Sequence, residues 1–359
     1  MLSGLVTSAC VTAAMRRLAP RWGLLDQPNA RKVHQVPTPL GGGIGVLLGV
    51  VLPLAGFQLF AWWCGRMGEV PVWIPAELAE TFAGFSDRSG QLWCVVLAGV
   101  MISALGLIDD LHPLRWKPKL LVQLAVAGGL VAAEVRGTVF VEWPLVGAVV
   151  SVLWIVVLTN ALNFLDNMDG LSGGIGLIVA VVFSLIMLTG TSQPHWFVAG
   201  FLLLLAGSLA GFLIHNWPPA KIFMGDTGSC LIGLWLSSMT LVGTFYDDRQ
   251  ASPHVILAPL CVLAVPLYDF GSVMLIRLSQ GRSPFHADKS HFSHRLVELG
   301  MSRPHAVMTI HLVTLTTGLG GLLLYQVQGW WGAGLVAGLI ACVLAVIAIL
   351  ETVGRSRRE

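Results

Sequence analysis

Apolar residues along this chain come in long continuous runs, not in alternation. Eleven runs lie near residues 2–18, 40–63, 91–108, 119–136, 144–163, 171–190, 196–214, 227–246, 254–276, 304–326 and 330–350. A helix needs about 20 mostly apolar residues to cross a bilayer. Membrane strands would instead alternate over about ten residues. The pattern therefore predicts an all-α integral membrane protein, a polytopic bundle of about 10–11 transmembrane helices. Because no large polar segment separates the runs, residues 1–359 read as a single multi-pass domain. No internal repeat stands out, which argues against the inverted-repeat transporter folds.

Composition supports this reading without refining it. The chain is 55% hydrophobic and 11% charged, whereas soluble domains average about 25% charged residues. The six cysteines are scattered through apolar segments without paired spacing; this favours buried free thiols over a cysteine metal site. Nothing in the charge pattern points to nucleic acid.

Charge does refine the topology. The first run has no basic residue before it, and Arg16 and Arg17 follow it. It reads as a first span with its N-terminus outside, not as a cleaved leader. With eleven spans, one set of loops carries only Arg66, Arg88, Arg136 and Arg249, against 17 of the 21 Lys and Arg in the other set. The positive-inside rule places the richer set in the cytoplasm.

The polar residues that interrupt the runs fall on that same side. The stretch NALNFLDNMDGLSGG (160–174) puts three asparagines and two aspartates between two spans, without a nearby lysine or arginine. Acids at a membrane edge are costly and mark function. GLIDDL brings Asp109 and Asp110, FMGDTGS brings Asp226, and ADKSHFSH brings Asp288, His291 and His294. The basic stretch around Arg31, Lys32 and His34 joins them. Several carboxylates with few soft ligands suit a hard cation such as Mg²⁺, which is commonly shared between one or two carboxylates and substrate phosphates. Lysines and arginines nearby complete a phosphate-handling set.

Five motifs occur in series: DQPNARKVHQVPTPLGGG, LGLIDDL, NALNFLDNMDGLSGG, NWPPAKIFMGDTGSCLIG and GRSPFHADKSHFSHRLVELG. In order and spacing the chain resembles the bacterial polyprenyl-phosphate N-acetylhexosamine-1-phosphate transferases, from about Gly23 to the late spans. The resemblance implies transfer of a sugar-1-phosphate from a UDP-amino sugar to undecaprenyl phosphate, with release of UMP and a requirement for Mg²⁺ or Mn²⁺. It implies a bacterial cytoplasmic (inner) membrane location with the site facing the cytoplasm. The last motif is closer to the UDP-GlcNAc branch than to the phospho-MurNAc-pentapeptide branch. A homodimer is left open, as are an ion-coupled transporter and a non-catalytic scaffold for envelope assembly as readings of another class.

Carried over residue by residue, the resemblance makes Asp226 a metal ligand, with Asp166 a second, although Asp226 also reads as a helix N-cap. Asp109, Asp110, Asp166, Asp169, His291 and His294 are the expected catalytic set. Asp109 and Asp110, about 100° apart on a helix, are expected to divide their labour. Lys32, His34, Lys119, Asn160, Asn163, Phe223, Arg282 and Arg295 are the expected substrate contacts. Phe223 matches the family's uracil-stacking aromatic or is a core residue. Lys119, Arg282 and Arg295 read equally as inside-loop charges. Zinc on His291 and His294 is a weaker alternative for want of a third ligand. Asp269, within the ninth run, is left outside the catalytic set, lining the site or pairing in the bundle. Two positions depart from the family pattern: Asn167 stands where many relatives carry glycine, and Ser293 replaces the middle histidine of His-x-His-His.

Overall fold

The computed structural model describes residues 1–27, 36–67, 89–137, 143–190, 194–243, 253–283 and 290–356. Helices α1 (Leu2–Leu18), α2 (Gly42–Met67), α3 (Ser89–Leu111), α4 (Trp116–Ala132), α5 (Pro144–Phe164), α6 (Leu171–Thr189), α7 (Trp196–Asn216) and α8 (Asp226–Val242) follow one another. After them come α9 (Ala258–Val262), α10 (Ala264–Ser279), the short α11 (Phe292–Glu298), α12 (Arg303–Leu323) and α13 (Gly329–Ser356). A two-residue antiparallel pair, β1 (Leu25–Asp26) and β2 (Thr38–Pro39), closes the segment between α1 and α2.

Seven of these helices are long and apolar enough to cross a membrane, and a bent pair makes eight. The helices α1, α4 and α8, at 17 residues each, are slightly shorter. Together they occupy the eleven positions expected from the apolar runs. The ninth run alone is not a straight span. Its chain breaks near Leu263 and turns by 67° between Pro253–Val262 and Ala264–Ser279. The protein is thus an all-α multi-pass membrane protein.

Helix α8 is the axis of the bundle. It packs against α2, α3, α5, α6 and α7, and every residue from Thr227 to Thr240 is buried. Helices in lipid gain little from apolar contact alone, so close backbone approach and internal hydrogen bonds carry the packing. The sequence of α8 supplies both. Gly228 and Gly233 lie against the backbones of Gly43 and Leu158. Ser237 and Ser238 hydroxyls donate to the Leu234 carbonyl within the helix. The Trp235 indole, fully buried, donates to the Val95 carbonyl of α3 at 3.1 Å. By contrast, α13 is only 17% buried over its apolar window and turns Trp331, Leu339 and Ile349 outward.

Candidate active site

The first residue of the central helix is Asp226, and its placement follows from two glycines and one neighbour. Gly225, the N-cap of α8, has φ +73° and no side chain to cap the helix; glycine alone adopts this conformation without strain. Asp110 supplies the missing cap from α3. Its Oδ1 accepts the Asp226 N–H at 2.9 Å, and its Oδ2 accepts the Thr227 N–H at 3.2 Å and the Thr227 hydroxyl at 2.7 Å. A carboxylate there also complements the positive end of the helix. A Cβ on Gly225 would run into this carboxylate, and a Cβ on Gly106 would run into the Asp226 backbone. Asp110 is therefore committed to holding α8, and Asp226, relieved of capping, turns its carboxylate into the site.

Around Asp226 the side chains converge. Lys119 of α4 donates to Asp226 Oδ2 and to Asp109 Oδ2, both at 2.7 Å. Asp109 Oδ1 also accepts the Leu114 N–H at 2.6 Å, which pins the turn between α3 and α4. Asn163, at the end of α5, donates to Asp226 Oδ1 at 2.9 Å and to the Ser229 hydroxyl at 3.0 Å. Asn160, one turn deeper, donates to Gln123 Oε1 at 2.7 Å, tying α5 to α4. Asp109, Lys119, Asn160, Asn163 and Asp226 retain some exposure, whereas Gln123 and Ser229 are buried. The result is an acidic cradle at one end of the bundle, built from α3, α4, α5 and α8.

The turn between α5 and α6 forms its second wall. Asp166 accepts the Ser172 hydroxyl at 2.6 Å. Burial pushes the Asp166 carboxyl up to about 7. The Ser172 hydrogen bond opposes that rise, while the nearby carboxylates of Asp226, Asp110 and Asp169 add to it. Asp169 accepts the Ala220 N–H at 2.9 Å and so anchors the segment leading to Asp226. Asn216 clasps the same two segments, accepting from Gly170 N–H and donating to the Ile222 carbonyl. Phe223 is half-buried. Its backbone bridges Pro39 and Gly42, so it fixes the start of α2 beside the cradle.

The histidines occupy a third wall. Asp269 of α10, fully buried, accepts from the Phe292 N–H at 2.6 Å and pairs with His291 Nδ1 at 3.0 Å. This caps α11 and fixes the His291 ring, leaving Nε2 for a ligand. His291 packs edge-on against Phe164, and the Arg277 guanidinium stacks over the same ring, 5.1 Å from its centroid. His294 lies beside His291, with ring centroids 6.4 Å apart. Arg295 turns away from the cradle: it pairs with Glu351 at 3.2 Å and donates to Ser272 at 2.8 Å, with Tyr268 bonded to the same carboxylate. Arg282 is exposed beyond α10. Lys32 and His34 lie outside the described residues.

Sequence reasoning thus placed Asp109, Lys119, Asn163 and Asp226 in one cluster but left out Asp269, Asn216 and Glu351. The signal for Asp269 was present, since an acid inside a span needs a named partner. Among the described residues, no group of three His, Cys, Asp or Glu side chains could hold a metal ion by itself. Among those residues zinc on the two histidines gains no third ligand, and His291 Nδ1 already pairs with Asp269. Two carboxylate groups facing a Lys–Asn pair do fit a hard cation whose remaining ligands are water and substrate phosphate.

Comparisons with known proteins bear on which family the chain belongs to. The sequence profile of glycosyl transferase family 4 matches residues 92–244, the segment from α3 to the end of α8. The chain is 30% identical over 335 residues to a probable undecaprenyl-phosphate N-acetylglucosaminyl 1-phosphate transferase of Bacillus subtilis, covering 91% of this chain and 84% of that protein. It is 34% identical over 340 residues to a decaprenyl-phosphate N-acetylglucosaminephosphotransferase of Mycobacterium tuberculosis, covering 87% and 78%. An undecaprenyl-phosphate alpha-N-acetylglucosaminyl 1-phosphate transferase of Escherichia coli is 30% identical over 327 residues, covering 87% and 79%. With the cradle and these relatives together, the chain belongs to glycosyl transferase family 4.

Proposed function

We propose that the protein transfers N-acetylglucosamine 1-phosphate from UDP-GlcNAc to a polyprenyl phosphate, yielding a lipid-linked sugar diphosphate and UMP. A lipid phosphate oxygen attacks the phosphorus next to the sugar, and the bond from that phosphorus to UMP breaks. The observation that carries this reading is the Asp109–Lys119–Asp226–Asn163 cluster at one end of a lipid-embedded bundle. There a water-soluble diphosphate and a membrane-held phosphate can meet. The three relatives, each named for the same transfer, support it.

The acceptor is already anionic at neutral pH, because the second pKa of a phosphate monoester is about 6. The difficulty is therefore charge, not proton removal: anionic nucleophile must approach anionic diphosphate. Phosphoryl transfer of this kind depends on positioning and charge neutralisation. Asp226, with Asp109 or Asp166, would hold Mg²⁺ or Mn²⁺, which would neutralise the diphosphate and orient its leaving oxygen. Lys119, held by both carboxylates, supplies a positive charge at the same place. Asn163 keeps the Asp226 carboxylate aimed. His291, fixed through Asp269, offers Nε2 to a phosphate oxygen. The uneven spread of Lys and Arg along the sequence supports a site that faces the cytoplasm, with the N-terminus outside, and a bacterial inner-membrane location goes with the transferase reading.

The test is purified protein in detergent with UDP-GlcNAc, undecaprenyl phosphate and Mg²⁺. UMP release that stops on adding EDTA supports the reading, and a panel of UDP-sugars reports the preferred donor. Absence of turnover with every UDP-amino sugar contradicts it.

A further inference from the structure

The acidic turn and the histidine helix meet through one side-chain bond. Ser293, fully buried on α11, donates its hydroxyl proton to Asn167 Oδ1 at 2.6 Å. The Asn167 amide in turn donates to the Phe164 carbonyl at 2.9 Å, and the Phe164 ring is the one that packs edge-on against His291. Asn167 sits between Asp166 and Asp169; Ser293 sits between His291 and His294. One short hydrogen bond thus joins the midpoints of two functional segments far apart in sequence.

The two residues are also the two positions at which the sequence motifs differ from the family pattern they resemble. A glycine at 167 would offer the serine no acceptor. The serine spends its only proton on Asn167, so it does not serve as a donor to substrate in place of an imidazole. The departures are therefore halves of one contact.

We propose that the Asn167–Ser293 bond is a positioning link for the transfer reaction: it holds α11 at a fixed offset from the acidic turn, so that His291 presents Nε2 to the phosphate bound at the cradle. Neither residue touches substrate. Asp269 holds the start of α11 and Glu351 its middle, while Asn167 secures it at Ser293. The inference rests on the transferase reading, and it deepens that reading by assigning the geometry of the histidine wall to a pair.

The experiment is a double-mutant cycle on the full chain with Asn167→Ala, Ser293→Ala and the double variant, reading kcat, KM for UDP-GlcNAc and thermal midpoint. Small misplacements of catalytic groups reach about a hundredfold in rate, so each single change is expected to lower kcat by about tenfold with KM within about twofold. The double variant is expected to lose about tenfold as well, not about a hundredfold, because the link is broken once. Losses that multiply, unchanged kcat in Ser293→Ala, or an effect confined to KM would each overturn the proposal. Thermal midpoints need no turnover and separate this outcome from failure of the transferase reading. The double variant should melt no lower than the worse single one, and additive drops count against the link. Ser293→Ala removes one oxygen; should it not fold, half-buried Asn167→Ala carries the kcat-against-KM test alone.

Discussion

The acidic cradle and the histidine wall adjoin through Phe164 and Asn167, but they are built differently. The cradle rests on backbone. Its central carboxylate, Asp226, is the first residue of the most enclosed helix, and that helix is capped by Asp110 through two N–H groups. The histidine wall rests on side chains. The seven-residue α11 is held by Asp269, Asn167 and Glu351, each through one or two contacts. The family profile covers the cradle and stops before α11. A backbone-set group shifts only if its helix shifts, whereas a side-chain-set group moves with a single substitution. Under the proposed transfer, the first half would hold the metal and diphosphate in place, and the second would adjust how the phosphates are contacted.

Substitutions should separate the two halves. The largest loss is expected for Asp226→Asn, which keeps the Asn163 geometry but removes the charge that would hold the cation. Turnover should fall by about a thousandfold, the scale of losing a principal electrostatic group. Next comes Gly225→Ala. A side chain there meets Asp110 and must adopt the positive φ that glycine takes without strain, so the α8 cap is disturbed. A penalty of about 1–3 kcal/mol is expected in a denaturation series, with a parallel loss of kcat. Asp269→Asn should be milder, since an amide retains an acceptor for the Phe292 N–H. It loses the charge that orients His291, and kcat should fall about tenfold to a hundredfold without loss of fold. If Asp269→Asn proves more damaging than Asp226→Asn, the two halves have been ranked wrongly.

The smallest effect concerns pH. With a carboxyl that keeps its proton up to about pH 7, Asp166 must release that proton before it can help hold a cation. Its pKa is raised on folding, so the folded chain binds more protons than the unfolded one between about pH 4 and 7. In that window its burial costs stability increasingly as pH rises. Cation binding then follows the opposite trend. One released proton predicts about a tenfold gain in Mg²⁺ affinity between pH 6 and 8, measurable by titration calorimetry. A flat profile would remove Asp166 from the cation site.

How much of this could be read beforehand follows the same division. The eleven helical segments were legible because apolar runs are a local property, and a membrane imposes their length. The convergence of Asp109, Asp226 and Asn163 on one face followed from counting spans. Which of two adjacent aspartates caps a helix was not legible. The direction of Asp110 is decided by the distant Gly225, whose missing side chain makes room for it. Arg295 carries the same charge as Lys119 and sits in a motif, yet it turns inward because Glu351 of the last helix waits there. Asp269 was visible as an acid in a span, but its partner His291 lies across a break and a bend that apolarity does not reveal. Departures such as Asn167 and Ser293 looked like two separate defects and became one contact only in three dimensions.

The proposed transfer stands or falls on which bond of the sugar nucleotide breaks. UDP-GlcNAc labelled with ³²P at the phosphate next to the sugar distinguishes the possibilities in one experiment. Transfer of a sugar-1-phosphate moves the label into the lipid and leaves unlabelled UMP, which is the predicted result. Label retained in UDP, with unlabelled sugar on the lipid, would contradict it.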